Sequence, residues 1–248
     1  MNDDEKELLK AGTEAAMRPF ADLITKLFGG PVEQVGGMWT DDLVVRRKIR
    51  QIKLMRKLQR AIADGGFEPN AIPDKIWIPA LQEALLEDDE HLQETWANLM
   101  ANAADPRRIG PILPSFAVIL KELTSVDVKF LDALVRDAEE LSRHASPCPP
   151  LTSFEFDDTK LRIAFECTVL GRRPEDLRPD NSAYIEWRDD ETLTFKVAAD
   201  TLTRNGLIAP NYVSVSVSKP FGIIRTNSIS LTDLAVRFVM ACRTPSRV

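Results

Sequence analysis

Apolar positions along the chain recur mostly three and four residues apart, a spacing that predicts a mainly helical protein. Leu8, Leu9, Ala16, Phe20, Leu23, Ile24 and Leu27 place an amphipathic helix over residues 3–28, which Gly29-Gly30-Pro31 stops. Pro31 to Thr40, weakened by Gly36-Gly37, reads as a short helix or hinge. The strongest signal spans 40–63. Thr40-Asp41-Asp42 offers an N-cap and first-turn acids, and Asp64-Gly65-Gly66 offers a stop. At about 100° per residue, Val45, Ile49, Ile52 and Met55 fall on one stripe, and Leu54, Leu58 and Ala61 on another. Two apolar stripes imply contacts on two sides, as in a bundle or a self-associating helix.

Pro73 to Ala104 reads as two helices broken near Glu87-Asp88-Asp89. The second carries Leu92, Trp96, Leu99 and Met100 on one face and stops at Asp105-Pro106. A loop with Gly110, Pro111 and Pro114 leads to a short helix over Ser115–Leu123, and Thr124 or Ser125 caps another reaching about Leu141. Arg143 to Leu151, holding Pro147, Pro149 and Pro150, has the aperiodic composition of a linker. Beyond it the pattern predicts helices over 157–170 and 189–205. Val213, Val215 and Val217 alternate with serines as a half-exposed strand, a turn follows at Lys219-Pro220-Phe221-Gly222, and Ile223–Thr226 is its partner strand. Ser230–Asp233 caps a last helix, Leu234–Arg243. The expected architecture is a mainly α chain. Residues 1–124 form a helical bundle domain with its basic helix at 40–63, and 125–248 form a small α/β winged-helix-like domain with a proline-rich loop at 143–151.

Composition narrows the function without naming it. The 248 residues are 44% apolar and 28% charged, close to the soluble globular average. With 32 basic and 38 acidic side chains the net charge is −6, which excludes a protein that coats nucleic acid by bulk charge. Cys148, Cys167 and Cys242 are odd in number and widely spaced, which argues against a disulfide framework and for a reducing cytoplasm. With no CxxC, no HExxH and only His91 and His144, no metal or other cofactor is expected. The acidic opening MNDDEKELLK predicts no secretory signal. The longest apolar stretches, such as Ile76–Leu81, fall far short of the roughly 20 residues that cross a bilayer, so no integral membrane insertion is expected.

The residues that stand out chemically are cations. Arg46, Arg50, Lys53, Lys57 and Arg60 form a ridge spaced 4, 3, 4, 3 within a segment, 44–63, that has eight basic residues and no acid. Such a ridge suits pairing with an acidic helix or subunit, gripping nucleic-acid phosphates, or resting on a membrane surface. The first reading is favoured, because Glu83 to Glu94 supplies six acids and no Lys or Arg. In the winged-helix-like region, 189–205 occupies the recognition-helix position. There Asp189, Asp190, Glu191 and Asp200 offset Arg188, Lys196 and Arg204, which favours protein contacts over groove reading. For catalysis, His91 among carboxylates is the one conceivable general base, and a solvated polar residue is the plainer reading. No phosphate-cradling glycine loop is present, so no catalytic residue is assigned and no enzyme is expected.

One stretch carries a family likeness. Gly30-Pro31-x4-Gly36 leads into the basic helix, and Pro79–Glu90 runs into His91-Leu92-Gln93-Glu94-Thr95-Trp96-Ala97-Asn98-Leu99, ending Asn102-Ala103-Ala104-Asp105-Pro106. Pro114-Ser115-Phe116 and the last helix, Leu231 to Arg243, extend the pattern. These residues resemble the abortive-infection alpha family, closely over about 28–135 and thinly over 145–225. The resemblance implies a bacterial protein that restricts phage infection, and it brings no catalytic residue or cofactor. Its hallmark residues here are Trp96, Asn98, Asn102, Asp105 and Pro106. Physically, Trp96 and Leu99 read as core knobs, Asn98 and Asn102 as donors to a neighbouring backbone, and Asp105-Pro106 as a helix stop. The expectation is a cytoplasmic phage-defence protein that acts through protein–protein contacts and self-association, its partners being itself and a phage or host protein. The alternative is a nucleic-acid-binding regulator or effector that uses the basic helix and the winged-helix-like domain.

Overall fold

A computed structural model describes residues 18–28, 44–173, 188–215 and 224–246. The readings at 3–17 and 29–43 and the strand turn at 216–223 lie outside the described residues. The chain is mainly helical with one small antiparallel sheet, and it divides into two compact units. The first runs to Glu122 and takes the chain in again from Ala241; the second is Leu123–Met240.

In the first unit, a 3-10 turn at Arg18–Phe20 leads into α1 (Ala21–Phe28), followed by α2 (Val44–Gly65), α3 (Asp74–Ala84), α4 (Glu90–Ala104) and α5 (Ser115–Glu122). The basic helix α2 lies along α4, and α3 packs on both α4 and α5. Ile52 and Met55 from one apolar stripe of α2 are buried, as are Leu54, Leu58 and Ala61 from the other, with Ile49 half-buried. The described part of both stripes, from Ile49 to Ala61, is therefore covered within the single chain. Local chemistry sets the helix ends. Gly66 takes φ 66° and donates its N–H toward the Ile62 and Ala63 carbonyls, closing α2 where a side chain would be strained. Gly65 is close-packed: a Cβ there would stand 2.6 Å from the Phe67 ring and 2.9 Å from Pro245. Asp89 caps α4 by accepting the N–H groups of His91 and Leu92, both at 2.9 Å. Trp96 is 1% exposed at the centre of that helix.

The second unit holds α6 (Ser125–His144), β1 (Glu155–Asp157), α7 (Asp158–Thr168), α8 (Asp189–Arg204), β2 (Ile208–Val215), β3 (Ile224–Leu231) and most of α9 (Asp233–Cys242). Thr124 and Asp127 form a capping box at the start of α6. Around α6 the rings of Phe130, Phe165 and Phe195 meet at 5.3–5.8 Å between centroids, tying α6, α7 and α8 into one core. The sheet order is β1-β3-β2, all antiparallel, with Phe156 opposite Ile229 and Ile208 opposite Leu231. Pro210, which has no N–H to give, sits in the outer strand β2 opposite Ile229, where a missing donor is tolerated. The proline-rich segment 145–150 lies inside this unit, and Ser142 Oγ holds it by donating to the Pro149 carbonyl at 2.8 Å.

Candidate functional site

The cationic ridge of α2 faces the link between α3 and α4. Arg50 donates to the Leu86 carbonyl at 2.8 Å and reaches the Asp88 carboxylate at 3.6 Å, supplying the end of α3 with a donor that its own helix lacks. Lys53 lies 3.3 Å from the Glu90 carboxylate, and Lys57 lies 2.6 Å from it and 2.7 Å from the Glu90 carbonyl. Lys57, with Lys53 adding to it, holds the Glu90 carboxyl below the usual glutamate range, against the partial burial that would raise it. Most other acids of the 83–94 segment are engaged as well. Glu83 pairs with Lys121 of α5 at 2.6 Å, Glu87 accepts the N–H groups of Asp88 and Asp89, and Asp89 is the α4 cap. His91 stands in the first turn of α4, with its backbone N–H taken by that cap. Of the remaining ridge cations, the Arg46 side chain lies outside what the structure describes. Arg60 is exposed, and so is Arg56 one turn before it; neither has a hydrogen bond or ion pair among the described residues.

The second group gathers at the end of α4. Asn102 is buried, and its amide nitrogen lies 2.9 Å from the Asn98 carbonyl, 3.0 Å from that of Ala241 and 2.7 Å from that of Arg243. Arg108 donates to the Asn102 Oδ1 at 2.9 Å, so both ends of the amide are fixed. Asp105, at the end of α4, accepts from the Arg107 backbone at 2.9 Å and from its guanidinium at 3.0 and 2.9 Å. Those contacts, the Arg107 side chain first, hold the Asp105 carboxyl below its ordinary range. The same guanidinium donates to the Gly65 carbonyl at 3.0 Å and lies 5.0 Å over the Phe67 ring. Asn102 thus bonds a neighbouring backbone, as its pattern suggests, and that backbone lies 139 positions further along the chain. For Asn98 it is the main-chain carbonyl that takes part, accepting from Asn102. Asp105 and Pro106 end α4 where a helix stop is expected.

Sequence reasoning missed a third group. Glu166 of α7 and Glu191 of α8 are both buried, and one guanidinium serves them: Arg172 reaches Glu166 at 3.6 Å and Glu191 at 3.1 Å. Glu191 also accepts the Arg188 backbone N–H at 3.1 Å, at the start of α8. Two glutamates 25 positions apart give no periodic signal, so nothing in the pattern marks them as partners. Among the described residues no three His, Cys, Asp or Glu side chains group as metal ligands, and no helix is long and apolar enough to cross a membrane.

Residues 46–242 match the family described as abortive infection alpha. The chain belongs to that family. No curated protein and no solved structure matches it. The abortive infection alpha match begins inside α2 and ends at Cys242, the last residue of α9, so it takes in both units and the carbonyl of Ala241 that Asn102 grips. In this abortive infection alpha chain, the hallmark stretch 96–106 supplies one buried ring and a set of backbone-binding side chains.

Proposed function

We propose that this protein is a phage-defence protein that works by protein–protein contact and self-association, with no catalysis of its own, in the cytoplasm. Membership of the abortive infection alpha family carries the reading. The order of elements in the second unit supports a winged-helix-like module: helix, strand, two helices, then two paired strands, with β3 central. In that arrangement α8 is the presenting helix. Leu193 is 62% exposed and Val197 54%, one turn apart on its outer face. Exposed Asp189 and Asp190 lie at the start of the helix, Lys196 at its middle, and Asp200 and Arg204 in its last turns, with Arg204 at the very end. Two copies of α8 crossing antiparallel near Val197 would set Asp190 of each against Arg204 of the other, with the apolar pair between them. The apolar stripes of α2 are already covered in the chain, so α8 is the better contact element.

The experiment is phage plating on cells that carry the gene, with light scattering on the purified protein. Wild type is expected to reduce plaque numbers and to scatter as more than one copy. Leu193→Asp with Val197→Asp is expected to give a folded monomer that no longer protects. Plaque numbers equal with and without the gene overturn the defence reading; an unchanged mass in the double variant overturns the α8 contact. Exposed Arg56 and Arg60 favour a second reading, nucleic-acid binding. Affinity for duplex DNA or RNA that falls steeply with salt, and that Arg56→Glu with Arg60→Glu abolishes, would establish it in place of the first.

A further inference from the structure

The segment after α9 returns to the first unit, where the side chains of a single turn hold it by its main-chain carbonyls. From this we infer that the Asn102–Arg108 turn is a docking site for the backbone of Ala241–Ser246, and that this segment is a strap that opens on it while the rest of the unit stays folded. The inference is independent of the defence reading.

The contacts have a common chemistry. The Asn102 amide donates to the Ala241 and Arg243 carbonyls, and Arg107 Nη2 approaches the Ser246 carbonyl at 3.4 Å. The last carbonyls of a helix have no partner within it, so these donors complete the C-terminal end of α9. Both donors are oriented from behind: Arg108 holds the Asn102 oxygen, while Asp105 and the Phe67 ring hold Arg107. Beside Arg107, Pro245 is buried against Gly65, where an added Cβ would meet it at 2.9 Å. Residues 244–246 themselves belong to neither helix nor strand. A segment held by a few side-chain donors and one close contact opens at lower free energy than the helices it rests on. The grip thus combines carbonyl donors from Asn102 and Arg107 with the buried side chains of Ala241, Cys242 and Pro245.

Cys242 reads the strap directly. It is buried at the last position of α9, whereas Cys167 lies in the second unit. Alkylation of each thiol by iodoacetamide is followed on the full chain by peptide mass spectrometry. Asn102→Leu keeps the size and adds no charge beside Cys242, but removes the donor to the strap carbonyls. Gly65→Ala pushes on Pro245 without touching Asn102. Arg108 is left in place, because its charge bears on the Cys242 thiol. Each variant is expected to alkylate Cys242 about tenfold faster than wild type and to gain an early tryptic cut after Arg243, with the Cys167 rate unchanged. The inference is overturned if Cys242 reacts no faster in either variant. It is equally overturned if the amides of α2 and α4 lose hydrogen-exchange protection in the variants, which would mark unfolding of the first unit rather than opening of the strap.

Discussion

Trp96 fills the middle of α4 with its ring wholly covered, so no surrounding side chain can close the space left by its removal. Trp96→Ala is expected to lose about 3 to 5 kcal/mol of stability, measured by urea unfolding. Arg172 acts by charge instead. Replacing it with Met takes that cation from buried Glu166 and leaves Glu191 with the Arg188 guanidinium 3.5 Å away, at a cost of about 2 to 3 kcal/mol on the same measurement. A neutral outcome would show that the two acids are solvated or protonated without it. The difference between these residues explains what the sequence reveals at this scale. The place of Trp96 in the core follows from its spacing with Leu92 and Leu99. The Glu166–Arg172–Glu191 group depends on how α7 and α8 are brought together, which no local pattern encodes.

Between elements, the cations of α2 are spent on the α3–α4 link, and the pairing has a pH signature. The folded carboxyl of Glu90 is held below its usual 4.5, chiefly by Lys57, so the unfolded chain takes up the proton first as pH falls. The stabilisation is therefore complete above the ordinary glutamate value and is lost on acidification through and below it. Glu90 is largely solvated, so the contribution is about 0.5 kcal/mol. Lys57→Met is expected to unfold at lower urea than wild type at pH 7, with a smaller gap at pH 3, where only the bond to the Glu90 carbonyl is still lost. A gap at pH 3 equal to that at pH 7 would show that the carboxylate contributes nothing and that the carbonyl bond and the lysine stem carry the loss. The α2 helix and its acidic neighbour were both legible, because a run of one sign opposite a run of the other is visible without coordinates. The helices over 74–84, 90–104, 115–122, 125–144, 189–204 and 233–242 follow their periodicity and caps closely. Strand β1 does not: three residues are too few for any period, and only pairing with β3 makes them a strand. The role of Asn102 was half legible, since its need for a backbone partner shows in its position but the identity of that partner does not.

On the scale of the whole chain, the family match takes in both units, each with a core of its own. The sheet adds a constraint on how many such molecules can share a solution. With β3 inside, β2 is an outer strand of the sheet among the described residues, and Pro210 within it has no N–H to give to another strand. Restoring it with Pro210→Val would leave the fold intact while giving neighbouring molecules an uninterrupted edge to zip onto. Turbidity that climbs with protein concentration in the variant and stays flat in wild type is the expected sign. A proline that contributes nothing to the interior thereby serves as a guard against fibrous stacking.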